Sequence, residues 1–189
     1  MMKLCLLRHG QTSFNLQGRW QGSSDIPLNE TGFEQARQAA DELAGEHFTA
    51  FYSSDLQRAR VTAEIIAQKH ALPVSTDSRL REINMGIWEG QLLSEIPGLY
   101  PEAWAERLRN PVDARAPGGE SLRELSLRVT QAIQDICAQY HADDRLVIVA
   151  HGLCLAAFLC HVQNIPLEEA YERIPKNAIP KYLDWPQLS

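Results

Sequence analysis

The chain has 189 residues, of which 44% are hydrophobic and 22% are charged, and it carries a formal net charge of −6. This length and balance predict a single globular domain over residues 1–189. The acidic balance argues against a nucleic-acid partner, which normally binds a basic surface. No stretch reaches the roughly 20 apolar residues that span a bilayer, so we expect no membrane partner either.

Hydrophobic patterns predict strands and helices that alternate along the chain. The predicted strands cover residues 3–7, 48–52, 73–76, 146–150 and 179–183. The predicted helices run from near Thr31 to Gly45, from Asp55 to about His70, from Ser121 to about Tyr140, and over 153–162. Asp55 is placed to cap the second helix, and capping boxes are expected to open the first and third: Thr31 with Glu34, and Ser121 with Glu124.

Residues 91–118 interrupt this alternation. Prolines at positions 97, 101, 111 and 117 divide the segment, and Trp104 lies in a short helical stretch between them. We predict a small helical insertion, or lid, rather than a second domain. The whole pattern predicts a three-layer α/β/α fold with a mainly parallel central sheet.

Two predicted strands, the first and the fourth, run directly into a His-Gly pair. These pairs are His9-Gly10 and His151-Gly152. Ligands of parallel α/β sheets bind in the crevice outside the carboxyl ends of the strands. The sequence therefore predicts that both imidazoles lie in one pocket, with the small glycines allowing close approach of backbone or ligand.

Four blocks of the sequence, in this order, resemble the motifs of the histidine phosphatase superfamily, whose members are phosphoglycerate-mutase-like. The blocks are Arg8-His9-Gly10-Gln11-Thr12 with Asn15, Ser53-Ser54-Asp55-Leu56-Gln57-Arg58-Ala59, Leu80-Arg81-Glu82 with Gly86-Ile87-Trp88-Glu89-Gly90, and Ala150-His151-Gly152 preceded by Gly118-Gly119-Glu120-Ser121. The resemblance covers nearly the whole chain, and the short layout is similar to that of broad-specificity and α-ribazole phosphatases.

The resemblance implies a set of site residues. The implied catalytic residues are His9, which would become a phosphohistidine, Glu82 as proton donor, and Arg8, Arg58 and His151 around the phosphoryl group. The implied contacts to phosphate or substrate are Asn15, Gln21, Gly10 and Thr12. No cofactor and no metal are implied.

These residue types suit phosphoryl transfer. A neutral imidazole attacks phosphorus without a metal, and each guanidinium presents a planar fork to phosphate oxygens. Because a general acid must hold a proton part of the time at neutral pH, we expect the surroundings of Glu82 to favour its neutral form. We also expect Gly10 or a neighbour to supply a carbonyl that fixes the tautomer of His9.

One departure from the family's pattern concerns the second His-Gly pair. Leu153 follows Gly152, where the family often has a second glycine, and the helix behind it carries no arginine. This apolar helix mouth argues against a second anionic group of the substrate at that place.

The four cysteines, Cys5, Cys137, Cys154 and Cys160, all lie in apolar patterns without a C-x-x-C spacing. We interpret them as reduced, buried side chains of a cytoplasmic protein. The alternative, a zinc site from Cys154, Cys160 and His161, is disfavoured because six helical positions turn the two cysteines roughly 240° apart.

The resemblance leaves the activity open among several functions. The mutases of the family have a longer insertion and a C-terminal tail over the site, so the short layout here favours a phosphatase acting on a small phosphorylated substrate. The alternatives are a phosphoglycerate mutase, a non-catalytic ligand-binding module of the same fold, and a metal-dependent hydrolase. We expect the lid to select the substrate through Tyr100, Trp104, Arg107 and Arg109; the sequence does not predict the oligomeric state.

Overall fold

A computed structural model describes residues 1–185 of the chain. Residues 186–189 of the predicted domain lie outside the described part. The strands are β1 (Met2–Arg8), β2 (Ala50–Ser53), β3 (Val74–Thr76), β4 (Arg145–Ala150) and β5 (Lys181–Trp185). They form one sheet in the order β3-β2-β4-β1-β5, in which only β5 runs antiparallel to its neighbour. The mainly parallel sheet is confirmed.

The helices are α1 (Ser13–Gln17), α2 (Glu30–Leu43), α3 (Gln57–Gln68), α4 (Ile96–Leu99), α5 (Pro101–Arg109), α6 (Leu122–Cys137) and α7 (Gly152–Val162). Three short 3-10 helices cover Ser78–Leu80, Gly86–Trp88 and Leu167–Glu172. None of the helices in the described part of the chain is long and apolar enough to cross a membrane.

The two central strands divide their side chains between the two faces of the sheet. On β1, Leu4 and Leu6 belong to a core that includes α6 and α7, whereas Cys5 and Leu7 belong to a second core with α2 and α3. Such near-continuous apolar strands are typical of a parallel sheet covered on both faces. The three-layer α/β/α arrangement predicted from the sequence is confirmed.

Two of the predicted helix caps are wrong. The first helix begins at Glu30, next to Thr31, but its cap is Asn29 rather than a capping box of Thr31 and Glu34: the side chain of Asn29 accepts the main-chain N–H of Gly32 at 2.8 Å. Asp55 does not cap α3, since its carboxylate pairs with an arginine instead. The first N–H of α3 donates to the distant Asp25 at 2.7 Å. A capping residue from another loop cannot be read from local sequence.

Other boundaries follow local chemistry more closely. The capping box of Ser121 and Glu124 is present at the start of α6. That helix ends at Cys137, before the predicted Tyr140. The last strand begins at residue 181 rather than 179, because Pro180 lacks an N–H for a strand ladder.

The 91–118 segment packs on a buried tryptophan. Trp88 is fully buried, and the rings of Tyr100 and Trp104 lie 6.5 and 5.9 Å from it. Arg107 of α5 is only 5% exposed; its guanidinium lies 5.6 Å from the rings of Trp20 and Trp88. These contacts attach the segment to the main body through aromatic packing.

Candidate active site

The two His-Gly pairs meet at the carboxyl ends of β1 and β4. These strands are parallel neighbours, and the N–H of His9 donates to the carbonyl of Ala150 at 3.0 Å. The imidazole rings of His9 and His151 are 5.2 Å apart and inclined at 60°. The topology therefore brings together two side chains that are far apart in sequence, as the paired pattern predicts.

A main-chain carbonyl fixes the orientation of His9. Its Nδ1 lies 2.7 Å from the carbonyl oxygen of Gly10, so Nδ1 carries the hydrogen and Nε2 keeps its lone pair. Burial lowers the pKa of His9 well below its ordinary value, and the charges of Arg58 and Arg8 lower it further. The ring is therefore neutral, and its Nε2 keeps a free lone pair.

Arg58 is fully buried and Arg8 is half-buried, and both are held by main-chain carbonyls rather than by carboxylates. Arg58 donates from Nη1 to Ser24 at 2.6 Å and from Nη2 to Gly22 at 2.8 Å. Arg8 donates from Nη1 to Pro175 at 3.1 Å. Burial lowers the pKa of Arg58 to about 10 and also lowers that of Arg8, which leaves both charged at neutral pH.

Several buried nitrogen atoms of this site lack a hydrogen-bond partner within residues 1–185. They are Arg8 Nε, Arg58 Nε, and Nδ1 and Nε2 of His151. His151 is fully buried, and burial followed by the charge of Arg58 lowers its pKa well below its ordinary value. Because buried polar groups are nearly always hydrogen-bonded, such a cluster indicates a place built for an anion with several acceptor oxygens.

Glu82 is held at the start of α7. Its carboxylate accepts the main-chain N–H groups of Leu153 and Cys154, both at 3.0 Å, and that of Ile83 at 3.1 Å. These contacts fix both oxygens of Glu82 at the cavity. The expectation that the surroundings of Glu82 favour its neutral form stays a prediction.

The four implied substrate contacts fall into two groups. Asn15 and Gln21 line the cavity. Thr12 lies behind them: its hydroxyl is 2.8 Å from Gln21 Oε1, and it caps α1. Gly10 does not line the cavity either. Its N–H donates to the hydroxyl of Thr62 at 3.1 Å. The structure therefore gives Thr12 and Gly10 positions from which they hold other residues of the site.

Some residues of the site escape the sequence analysis. Thr62 on α3 links the first motif to Arg58, because its hydroxyl also donates to the Arg58 carbonyl at 2.7 Å. Asn177 donates to the His9 carbonyl at 2.7 Å. No local pattern distinguishes either side chain, and only the folded chain places them beside the first motif.

The cavity at the site has a volume of about 250 Å³. Its lining comprises Arg8, His9, Phe14, Asn15, Gly18, Arg19, Trp20, Gln21, Gly22, Arg58, Glu82, Leu93, Gly152, Leu153 and Ile174. From the 91–118 segment, Leu93 lines the cavity. The four residues of that segment that were expected to select the substrate do not line it: Tyr100, Trp104, Arg107 and Arg109. Arg109 instead pairs with Glu106 at the surface.

A family model described as the histidine phosphatase superfamily (branch 1) matches residues 4–185, which includes every part of this site. The chain belongs to this superfamily. The probable phosphoglycerate mutase GpmB of Escherichia coli strain K12 is 40% identical over 167 residues, or 88% of this chain and 77% of that protein.

Solved structures of phosphatases share the fold. The α-ribazole phosphatase from Shigella flexneri superposes with a TM-score of 0.90 at 26% identity, covering 98% of this chain and 92% of that one. A phosphoserine phosphatase mutant from Entamoeba histolytica in complex with phosphoserine has a TM-score of 0.86 at 29% identity, covering 96% and 90%. These relatives support phosphatase activity on a small phosphorylated substrate.

The structure also shows how possible metal ligands and the cysteines are arranged. Within residues 1–185, no three His, Cys, Asp or Glu side chains are grouped as metal ligands. All four cysteines are buried and free, and Cys154 directs its Sγ to the Leu80 carbonyl at 3.4 Å. Burial raises the pKa of Cys5 and Cys137 to about 12, so neither thiol is a nucleophile at neutral pH.

Proposed function

We propose that this histidine phosphatase is a phosphomonoesterase that hydrolyses a small phosphorylated metabolite through a phosphohistidine on His9. The observation that carries the proposal is the cluster of buried, unpartnered nitrogen atoms of Arg8, Arg58 and His151 beside a free His9 Nε2. A phosphoryl group carries negative charge and several acceptor oxygens, which could pair with these nitrogen atoms.

In the first half-reaction, Nε2 of His9 attacks phosphorus in line with the ester oxygen. The N–P bond forms as the P–O bond to the alcohol breaks. Arg8 and Arg58 stabilise the phosphoryl oxygens, and the Gly10 carbonyl stabilises the positive charge that develops on the ring. Glu82 transfers its proton to the leaving alkoxide.

The mechanism requires Glu82 to carry that proton before the P–O bond breaks. In the second half-reaction, water attacks phosphorus, Glu82 accepts a proton from it, and the N–P bond breaks to release phosphate and neutral His9.

Trapping of the intermediate tests the proposal. Denaturing quench of the enzyme with ³²P-labelled p-nitrophenyl phosphate should give an acid-labile, base-stable protein adduct that His9→Ala lacks. His161→Ala is the matched control, since His161 is exposed on α7 and does not line the cavity. An adduct of the same lability in His9→Ala would contradict the assignment of the nucleophile.

A phosphoglycerate mutase is the second candidate, because a protein named a probable mutase is 40% identical to this chain. A mutase returns the phosphoryl group to a second hydroxyl, whereas a phosphatase releases it to water. We expect inorganic phosphate from p-nitrophenyl phosphate and no interconversion of 2- and 3-phosphoglycerate. Interconversion faster than phosphate release would favour the mutase, and the absence of both reactions would favour a non-catalytic ligand-binding module.

The proposal includes independence of a metal and a cytoplasmic location. Two arginines and an imidazole supply the positive charge and donors that a metal ion would otherwise provide. Hydrolysis should persist in excess EDTA and should be inhibited by vanadate; loss of activity in EDTA that Mg²⁺ or Zn²⁺ restores would favour a metal-dependent hydrolase. Four free, buried thiols support a reducing compartment.

A further inference from the structure

The cavity changes character between its inner end and its mouth. The inner end carries the charged groups of Arg8, Arg58 and Glu82 beside His9. The rest of the wall carries five apolar side chains, Phe14, Trp20, Leu93, Leu153 and Ile174, beside the polar Asn15, Arg19 and Gln21. A phosphoester bound with its phosphoryl group on His9 would therefore place its alcohol part against this apolar wall, which we define by these five residues.

Two residues of the apolar wall remain exposed in the free protein. Leu93 is 44% exposed and Ile174 is 40% exposed, although both are large apolar side chains at the rim of a charged site. Exposed apolar surface that surrounds a cavity is typical of a binding site, because a ligand gains affinity by covering it.

The three arginines of the lining differ in position. Arg8 and Arg58 lie beside His9, where the phosphoryl group would bind. Arg19 is the remaining cation among the lining residues in the described chain, and it donates from Nη1 to the Gly90 carbonyl at 2.6 Å and from Nε to Gln17 at 2.9 Å. Arg107 is separated from the lining: it lies over the Trp20 ring and donates to the hydroxyl of Tyr171.

We propose that this enzyme selects phosphomonoesters whose alcohol part is apolar, such as aryl or arylalkyl phosphates, over esters that carry a carboxylate. This inference rests on the proposed phosphatase function. The apolar wall covers an uncharged ring, whereas a carboxylate at the same place would lose its hydration beside these side chains. Arg19, the lining cation away from His9, is directed to the Gly90 carbonyl and to Gln17. The preference thus differs from the phosphoserine bound by the related amoebic phosphatase.

The test compares primary alkyl phosphates, so that the reactivity of the leaving alcohol is similar. The substrates are 2-phenylethyl phosphate, glycerol 3-phosphate, O-phosphoserine and 3-phosphoglycerate. We expect kcat/KM to be at least about 10-fold higher for 2-phenylethyl phosphate than for either carboxylate. Glycerol 3-phosphate separates the effect of polarity from that of charge and should give an intermediate value.

A pair of variants tests whether the wall causes the preference. Leu93→Asn should lower kcat/KM for 2-phenylethyl phosphate, mainly through KM, and Leu93→Arg should raise that for 3-phosphoglycerate. Leu127→Asn is the matched control, because Leu127 is 66% exposed on α6 and does not line this cavity. Both Leu93 variants should fold, since that side chain is already half exposed.

The possible outcomes distinguish a failure of this substrate preference from a failure of the proposed phosphatase function. Equal or faster hydrolysis of the carboxylates, or a preference unchanged in both Leu93 variants, overturns the inference and leaves the phosphatase standing. No hydrolysis of any ester, including p-nitrophenyl phosphate, overturns the phosphatase and the inference with it.

Discussion

Gly10 lies where the first motif packs closely against α2. A Cβ atom at this position would be 2.4 Å from the carbonyl oxygen of Gly32, which is main chain and cannot rotate away. The Gly10 carbonyl also orients His9. The addition of one methyl group at this residue would therefore affect both the packing and the orientation of His9, the proposed nucleophile.

We expect Gly10→Ala to lower the free energy of unfolding by roughly 1–3 kcal/mol, as overpacking of a tight contact does. Its kcat should also fall, because the displaced carbonyl no longer holds Nδ1 of His9. Urea denaturation and steady-state hydrolysis measure the two effects. Gly45→Ala is the control, since a Cβ there meets no atom within 4 Å; equal behaviour of the two variants would contradict this account.

Single residues differ in how far the sequence alone predicts them. His9, His151 and Arg58 stand in recognisable motifs, and the fold brings them together. Glu82 is also predicted, but the main-chain donors that hold it belong to α7 and follow from tertiary packing. Asn177 carries no local signal, because its contact to the first motif joins residues far apart in the chain.

At the scale of elements, α6 holds the segment that carries Glu82. Arg128 of α6 donates from Nη1 to the carbonyls of Arg79 and Arg81 at 2.7 and 3.1 Å. Its Nε and Nη2 also donate to both carboxylate oxygens of Glu120 at 2.9 and 2.7 Å. Arg128 is therefore a positioning residue: it fixes the backbone on the N-terminal side of Glu82, the proposed proton donor.

We expect Arg128→Ala to lower kcat on the order of 10- to 100-fold with little change in KM, because a displaced proton donor loses its alignment while Arg8 and Arg58 still bind phosphate. The loss should be smaller for p-nitrophenyl phosphate, whose leaving group needs no proton, than for an alkyl phosphate. Steady-state kinetics with both substrates measure the difference.

The control for that variant lies on the same helix. Arg123→Ala removes an exposed ion pair with Asp113 and should leave both rates unchanged. Arg128→Lys should restore part of kcat through one main-chain contact. An equal loss on both substrates, or no rescue by lysine, would indicate a purely structural role for Arg128.

Elements with a strong local signal are predicted well. The capping box and the three-to-four spacing give α6 its start and its buried face. In contrast, Asn29 competes with Thr31 as a cap, and only the fold decides between them. The 91–118 segment has helical patches, but its orientation depends on Trp88, so its one contribution to the cavity lining, Leu93, cannot be predicted from the pattern.

For the whole molecule, the two buried histidines link stability to pH. The pKa values of His9 and His151 lie well below the ordinary histidine value, chiefly through burial. Unfolding restores an ordinary pKa, so the unfolded chain binds more protons below about pH 6.5. The contribution of these two histidines to the free energy of unfolding is therefore fully present above that pH. It is lost as the pH falls below it, by at most about 1.4 kcal/mol per pH unit for each histidine.

His151→Gln should reduce this dependence by up to one half of the contribution that His9 and His151 make together. Urea unfolding at several pH values between about 5 and 6.5 gives the slope of the free energy of unfolding. The exposed His161→Gln should keep the wild-type slope. A slope unaffected by His151→Gln would mean that this imidazole does not exchange a proton on unfolding in that range.

The architecture of the whole molecule is the most predictable level. Alternating apolar strands and amphipathic helices specify a layered parallel sheet, and the strands that end in His-Gly specify the edge that carries the site. The sheet order follows from long-range pairing and leaves no local trace in the sequence. The antiparallel direction of β5 is likewise a property of the folded chain.

The contact between Asn177 and His9 has a consequence for the timing of folding. The two residues are 168 positions apart, and β1 pairs with β4 and β5, which both come late in the chain. At 5–20 residues per second, a ribosome needs roughly 10 to 30 s to add the residues between them. The apolar first strand therefore has no pairing partner during most of synthesis. In refolding experiments, we expect catalytic activity to be among the last signals to return, because the site needs these long-range contacts.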